Sequence, residues 1–259
     1  MKIGSFDTNS QALKDRVNLQ KNLGEFNLNN WIFENLDIAE NLSYLDLGCG
    51  LGNQTLELLE KGFKNINITA VDASEDSIKL LAESIAKLKC DKKVNTHIGR
   101  FDELGQVIQK KQFDRIFGSY SLYYVDDAEK LFSIIYSALK KDGVLFFCGP
   151  SHDNNLELKK LLSDISNDNK QITNTIASNF MEEEAPAICK EVFKKEVEIL
   201  QFKNKVEFYN PQDLFKYWSS HNLYDASLEE EFRKYTTKLF KNGSTFINYK
   251  SGIGIRINK

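Results

Sequence analysis

Three glycines at alternating positions, directly after a short apolar run, are the feature that most constrains this chain. The run is Leu42–Leu47, and Gly48, Gly50 and Gly52 follow it. Its length and composition are typical of a buried parallel strand, and residues 54–61 favour a helix. A residue without Cβ lets the backbone turn tightly and approach a ligand. Strand, glycine turn and helix in this order therefore predict a nucleotide-binding corner.

The next predicted strand ends in an acid that suits the same kind of site. This strand is Ile66–Val71, and Asp72 follows it twenty residues after Gly52. A carboxylate at this distance can accept hydrogen bonds from both hydroxyls of a ribose. The dinucleotide fingerprint requires G-x-G-x-x-G, whereas Asn53 stands three residues after Gly50 and the pattern is G-x-G-x-G. A nicotinamide cofactor is therefore the least favoured interpretation.

The motif D-x-G-C-G-x-G that begins at Asp46, with the acid Asp72 after the second strand, resembles motifs I and II of the class I S-adenosylmethionine-dependent methyltransferases. The resemblance covers residues 41–150 well and the flanks in outline. It implies an α/β fold with a Rossmann-like, seven-stranded, mostly parallel sheet and helices on both faces. The last strand would be antiparallel and lie beside the fifth. It also implies S-adenosyl-L-methionine as the cofactor and a methyltransferase as the enzyme.

The resemblance further implies which residues bind the cofactor. They are Asp46, Gly48, Gly50, Asn53, Asp72, Ala73, Arg100, Phe101, Ser119 and, from an N-terminal lid, Arg16. In the family, the pair that contacts adenine after the third strand is often an acid followed by a small residue. Arg100 and Phe101 depart from that pattern, so Asp102 or the backbone N–H of Phe101 could provide the contact instead.

Candidates for the acceptor side follow the fourth and fifth predicted strands, because ligands of open α/β sheets bind outside the carboxyl ends of the strands. Tyr123, Tyr124 and His152 are the catalytic candidates. Similar small-molecule methyltransferases often carry a histidine after strand four, and this chain has tyrosines there. The tyrosines could equally pack into the core, and His152 is favoured over the other two histidines. No dedicated catalytic dyad is evident, since alignment alone can drive methyl transfer to some acceptors.

Five strand–helix units precede residue 150, which predicts right-handed crossovers and a parallel sheet. Strand character returns at Val197–Phe202, at Val206–Tyr209 and in the alternating stretch Ser244–Ile257, and capping boxes are predicted at Asp126 and Ser227. We expect one domain over residues 1–259. Its parts would be a helical lid (1–40), a cofactor-binding core (41–150), a helical insertion that roofs the acceptor site (151–196) and the rest of the sheet (197–259).

Charge and cysteine content limit the classes of partner and the compartment that we expect. A net charge of −3 argues against a general binder of nucleic-acid backbone, and no run of about 18 apolar residues could span a bilayer. The four cysteines lie far apart without a C-x-x-C pair, which favours reduced thiols in a cytoplasmic protein over disulfides or metal ligands. We therefore expect a small-molecule acceptor, no metal, no membrane partner, and a monomer or homodimer.

Two alternatives stay open at this point. The acceptor could be a tRNA base, which a contiguous basic surface near the strand ends would favour. The chain could also be a cofactor-binding protein of the same fold that has lost transfer activity.

Overall fold

The computed structural model describes residues 26–88, 93–166, 175–241 and 243–259. Within them the strands are β1 Ser43–Leu47, β2 Asn67–Asp72, β3 Lys93–Ile98, β4 Phe113–Ser119, β5 Leu139–Pro150, β6 Glu198–Phe208 and β7 Phe246–Asn258. They form one sheet in the order β3-β2-β1-β4-β5-β7-β6. β7 pairs antiparallel with β5 and β6, and the other four pairs of neighbouring strands are parallel. The predicted sheet, with its antiparallel last strand beside the fifth, is confirmed.

The helices of the described residues connect and cover these strands. They are α1 Leu28–Leu36, α2 Asn53–Glu60, α3 Glu75–Leu88, α4 Leu104–Val107, α5 Ala128–Ala138, α6 Leu156–Ser166, α7 Ile176–Asn179, α8 Ala185–Phe193, α9 Pro211–Ser219 and α10 Glu229–Phe240. A π-helical turn, Phe180–Glu184, joins α7 to α8, and 3-10 turns span Phe101–Glu103, Leu122–Tyr124 and Ala226–Leu228.

The core lies in two layers on opposite faces of the sheet. Neighbouring side chains of β5 belong to different layers, as expected of a strand whose residues alternate between faces. Phe147 packs 5.4 Å from the ring of Phe132 on α5, whereas Phe146 packs 5.3 Å from Trp31 on α1. Because both faces of β5 are covered, its apolar run has no polar alternation.

A third cluster lies beside the sheet and anchors the first helix of the insertion. Leu158 of α6 packs there with side chains of β6, α9 and α10. Trp218 and Phe232 stack at its centre with ring centroids 4.2 Å apart. The later part of the insertion returns to the main core, where Phe180 and Met181 are buried. The insertion thus spans from this cluster back to the carboxyl end of β5.

Several local predictions were wrong. The two stretches predicted as separate strands form the single strand β6, because Asn204 between them stays paired with Lys250 of β7. The cap of α5 is Asp127, whose carboxylate accepts from the N–H of Lys130, and not the adjacent Asp126. Before α10, Asp225 caps the 3-10 turn and no capping box forms at Ser227.

One rung of the β6–β7 ladder offers a matched test of this packing. Ile255 of β7 is 0% exposed and Ile199, its register partner on β6, is 51% exposed. Ile255→Ala should lower the free energy of unfolding by about 2–5 kcal/mol, because it leaves a cavity in the core. Ile199→Ala should cost less than about 1 kcal/mol. Urea unfolding of both variants measures the difference, and equal losses would contradict the buried position of β7.

Candidate functional site

The glycine turn between β1 and α2 requires its glycines for conformation and for space. Gly48, Gly50 and Gly52 have φ of 70°, 51° and 80°, in the left-handed region. A Cβ added to Gly48 would lie 2.3 Å from Cβ of Ser121, and one added to Gly52 would lie 2.2 Å from Cδ1 of Leu81. Neighbouring side chains therefore pack directly onto the bare backbone of the turn.

Asp72, at the end of β2, faces this turn. Its Oδ2 accepts from the N–H of Gly50 at 2.7 Å, and its Oδ1 accepts from the N–H of Ser74 at 2.8 Å. The two backbone donors fix the carboxylate, which is half-buried. Each carboxylate oxygen has a further lone pair, so Asp72 can still accept from two hydroxyl groups. This geometry fits the ribose of a nucleoside cofactor.

Asp46 lies behind the turn, where it is 1% exposed. Its Oδ2 accepts from the Thr55 hydroxyl at 2.7 Å, which ties β1 to α2 across the turn. Burial raises the pKa of Asp46 to about 7, the hydrogen bond from Thr55 opposes this shift, and the charge of Asp72 adds to it. The carboxyl group thus stabilises the turn by holding β1 and α2 together. Its direct contact with the cofactor stays a prediction.

Two of the proposed adenine contacts lie at the rim of the turn. Arg100 is exposed and pairs with Asp126 at 3.3 Å and with Asp102 at 3.8 Å. The side chain of Phe101 reaches toward Gly48, with Cζ 3.4 Å from the position of an added Cβ. Phe101 therefore borders the space above the turn, whereas the charge of Arg100 is held by acids beside it.

The remaining predicted contacts differ in position. Asn53 is half-buried as the first residue of α2, and Ala73 is exposed just after β2. Ser119 ends β4, where its Oγ is 3.6 Å from Sγ of Cys148. Arg16 lies outside the described residues. These roles stay predictions.

The tyrosines that follow β4 do not all lie together. Tyr123 and Tyr124 contact each other, with ring centroids 4.6 Å apart. Tyr123 is 8% exposed and lies beside Gly149, over which the side chain of Met181 also packs. These two rings therefore form a wall between the end of β5 and the insertion.

Tyr120 stands apart from the other two tyrosines. Its φ of 56° is unusual for a bulky residue and turns the chain sharply after β4. Nζ of Lys250, a buried residue of β7, lies 5.5 Å from the centroid of its ring. Burial raises the pKa of Tyr120 above its ordinary range. The burial of Lys250 was not predicted, because no local pattern separates this residue from the exposed lysines of the chain.

His152 joins the start of the insertion, just after β5, to its later part. Its backbone N–H donates to Oε1 of Glu182 at 2.6 Å, and its Nδ1 lies 3.4 Å from Oε2 of the same carboxylate. The other ring nitrogen, Nε2, lies 3.1 Å from Oδ1 of Asn179. Both ring nitrogens thus face groups of the insertion, and a role as general base stays a prediction.

A family comparison decides the assignment. Residues 38–210, more than half of the chain, match the family described as "Methyltransferase domain". The chain belongs to this methyltransferase family. The match covers the glycine turn, Asp72 and the segment that follows β4.

Individual relatives of this chain agree with the family. Malonyl-[acyl-carrier protein] O-methyltransferase 2 of Ilyobacter polytropus is 28% identical over 141 residues, which are 54% of this chain and 52% of that protein. The chain thus spans about half the length of this relative, and 23–32% of the length of three further curated methyltransferases.

Solved structures share the fold. The YcgJ protein of Bacillus subtilis is 15% identical with a TM-score of 0.59, over 89% of this chain and 97% of that one. Phosphoethanolamine N-methyltransferase 2 of Haemonchus contortus, solved with S-adenosyl-L-methionine, is 15% identical with a TM-score of 0.59, over 99% of this chain and 60% of that one. Across the described parts of this chain, none of the helices is long and apolar enough to cross a membrane.

The crowding at Gly48 can be separated from its backbone strain by a second glycine. Gly62 has φ 78°, close to the 70° of Gly48, but an added Cβ there meets nothing within 4 Å. Gly62→Ala should cost about 1–2 kcal/mol, for the left-handed conformation alone. Gly48→Ala should cost about 1–3 kcal/mol more, because it also overpacks against Ser121. Urea unfolding compares the two variants, and losses of equal size would show that the turn is not crowded.

Asp46 should make the free energy of unfolding depend on pH. In the unfolded chain its pKa is 3.8, and in the folded chain about 7. Between these values the folded state binds more protons, so the stability from this group, present in full below pH 4, is lost as the pH rises.

Asp46→Asn should therefore gain stability relative to the wild type as the pH rises from about 4 to 7, by at most about 4 kcal/mol. Urea unfolding of both proteins at a series of pH values measures this difference in the free energy of unfolding. The contributions of the other titrating groups are the same in both proteins and cancel. A difference that does not change with pH would mean that Asp46 ionises normally in the fold.

Proposed function

We propose that this chain transfers a methyl group from S-adenosyl-L-methionine to a small-molecule acceptor. The observation that carries the proposal is the glycine turn, in which Asp72 accepts from the N–H of Gly50. This turn lies at the carboxyl edge of the sheet, in a chain that belongs to the methyltransferase domain family. The glycine backbone leaves room for a ligand, and the carboxylate retains acceptors for ribose hydroxyls. The family membership and these two features support the same cofactor.

In this proposal the residues divide the work by position. Gly48, Gly50 and Asp72 hold the cofactor, with Asn53, Ala73, Phe101 and Ser119 around it and Asp46 behind the turn. Arg100 lies at the rim. When bound, S-adenosyl-L-methionine supplies a methyl group activated by the positive charge of its sulfur. The protein's own contribution is then to align the acceptor and to exclude water.

The acceptor is proposed to enter between the loops that follow β4 and β5. Tyr123 and Tyr124 offer apolar walls with polar edges there. The insertion would form the roof, and the contacts of His152 with Glu182 and Asn179 support it as the residue that fastens this roof. Alignment by this enclosure, without a general base, is the mechanism that these contacts favour.

Three relatives support a small acceptor without fixing its reacting atom. They are named as a malonyl-[acyl-carrier protein] O-methyltransferase, a sterol 24-C-methyltransferase and a phosphoethanolamine N-methyltransferase. Their names span oxygen, carbon and nitrogen as acceptor atoms, so we propose the class of acceptor only. The net charge of −3 supports a small molecule over a nucleic acid.

We propose that the protein works in the cytoplasm, as a monomer or homodimer. Cys49, Cys148 and Cys189 are free and buried, which supports a reducing compartment. Burial raises the pKa of Cys148 to about 12, so its thiol stays protonated and unreactive near neutral pH.

Calorimetry with S-adenosylhomocysteine, the demethylated cofactor, tests the proposed cofactor site. Asp72→Ala should weaken binding by about 1.5–3 kcal/mol, the range for a hydrogen bond to a charged group, or roughly tenfold to hundredfold in Kd. Asp76→Ala, a change of an exposed acid in the first turn of α3, is the matched control and should leave Kd unchanged. Unchanged affinity in the Asp72 variant would remove it from the ribose role, and tighter binding of NAD by the wild type would reject the function.

A further inference from the structure

The sheet opens at the place where β1 and β4 separate. The last paired residues of these strands are Asp46 and Phe117, whereas β1 stays paired with β2 for one more residue, Leu47 with Val71. The order of the strands reverses here, since β2 and β3 lie on one side of β1 and β4 and β5 on the other. Crevices at such switch points are where open α/β sheets bind their ligands.

The side chain of Ser121 fills the floor of this crevice. Its Oγ donates to the carbonyl of Leu47 at 2.6 Å, and the residue is buried. A Cβ added to Gly118 would lie 3.1 Å from both the Ser121 Oγ and the Leu47 oxygen. The hydroxyl therefore binds the Leu47 carbonyl just beyond the last β1–β4 pair.

The same residue is bound to the turn that carries the acceptor-side tyrosines. The carbonyl of Ser121 accepts from the N–H of Tyr124 at 3.1 Å, which closes the 3-10 turn Leu122–Tyr124. The Cβ of Ser121 also packs against the backbone of Gly48, a residue of the glycine turn with φ of 70°. One residue thus contacts both the cofactor turn and the tyrosine turn.

We propose that Ser121 is a positioning residue that fixes the tyrosine turn (Leu122–Tyr124) against the glycine turn. Ordering of the glycine turn by a bound cofactor is then transmitted to Tyr123 and Tyr124. This inference rests on the proposed function, because it takes the glycine turn as the cofactor site. Methyl transfer depends on the alignment of donor and acceptor, so a fixed distance between the two turns serves the reaction directly.

Hydrogen–deuterium exchange with and without S-adenosylhomocysteine tests this coupling without an acceptor. In the wild type, the ligand should slow exchange in the glycine turn and also at the bonded N–H groups of Tyr124 and Val125. Ser121→Ala removes the hydroxyl bond to Leu47 and keeps the Cβ beside Gly48. The glycine turn should therefore still be protected by the ligand, and the protection that the ligand adds at Tyr124 and Val125 should be reduced. Ser220→Ala is the matched control, because Ser220 is also buried and donates to a backbone carbonyl, that of Tyr217, at 2.9 Å. It should behave as the wild type does.

Each remaining outcome decides against a particular claim. Ligand-induced protection of Tyr124 that is as large in Ser121→Ala as in the wild type, or is equally reduced in Ser220→Ala, would overturn the role of Ser121 and leave the proposed function standing. A wild type that does not bind S-adenosylhomocysteine would overturn both. If Ser121→Ala does not fold, Ser121→Cys keeps the shape with a weaker donor. That variant should lose part of the ligand-induced protection, and full protection in it would equally overturn the proposal.

Discussion

The site depends on one steric constraint, the contact between the bare backbone of Gly48 and the side chain of Ser121. An added Cβ at Gly48 would lie 2.3 Å from the Cβ of Ser121, closer than two non-bonded carbon atoms can approach. The left-handed φ of Gly48 and the lack of space both exclude other residues. This contact brings the end of β1 and the segment after β4 together, and the crevice above them is the place where the fold can hold a nucleoside.

The two aspartates of the motif show how environment separates similar groups. Asp46 is buried behind the turn with Thr55 as its donor, and burial raises its pKa to about 7. Asp72 is half-buried and accepts from two backbone N–H groups, and its oxygens keep acceptor positions for a ligand. The first carboxyl group therefore holds the turn together, and the second remains available to a ligand.

Much of the fold could be predicted from the sequence, because its signals are local. The apolar runs and their spacing predicted the sheet, and the strand predicted at Ile66–Val71 is β2, Asn67–Asp72. The interruption of β6 was predicted wrongly, because pairing with β7 keeps a strand continuous through polar residues such as Asn204. The cap of α5 was misplaced by one residue, since Asp126 and Asp127 are both acids and only the backbone geometry separates them.

The candidate site was less accessible from sequence, because its contacts join distant segments. The glycines and Asp72 carry a local pattern, but Ser121 meets Leu47 only through the folded sheet. Likewise, the left-handed backbone of Tyr120 separates it from Tyr123, and no residue type signals that turn. Tertiary geometry therefore decides which members of the tyrosine cluster share a wall.

The central claim is that the glycine turn holds S-adenosyl-L-methionine rather than a dinucleotide. The most direct measurement incubates the purified protein with equal concentrations of S-adenosyl-L-methionine, NAD and ATP, removes free ligand, and identifies the retained compound by mass spectrometry. We expect that S-adenosyl-L-methionine is retained and that Gly48→Ala retains much less of it. Retention of NAD in preference to S-adenosyl-L-methionine by the wild type would contradict it.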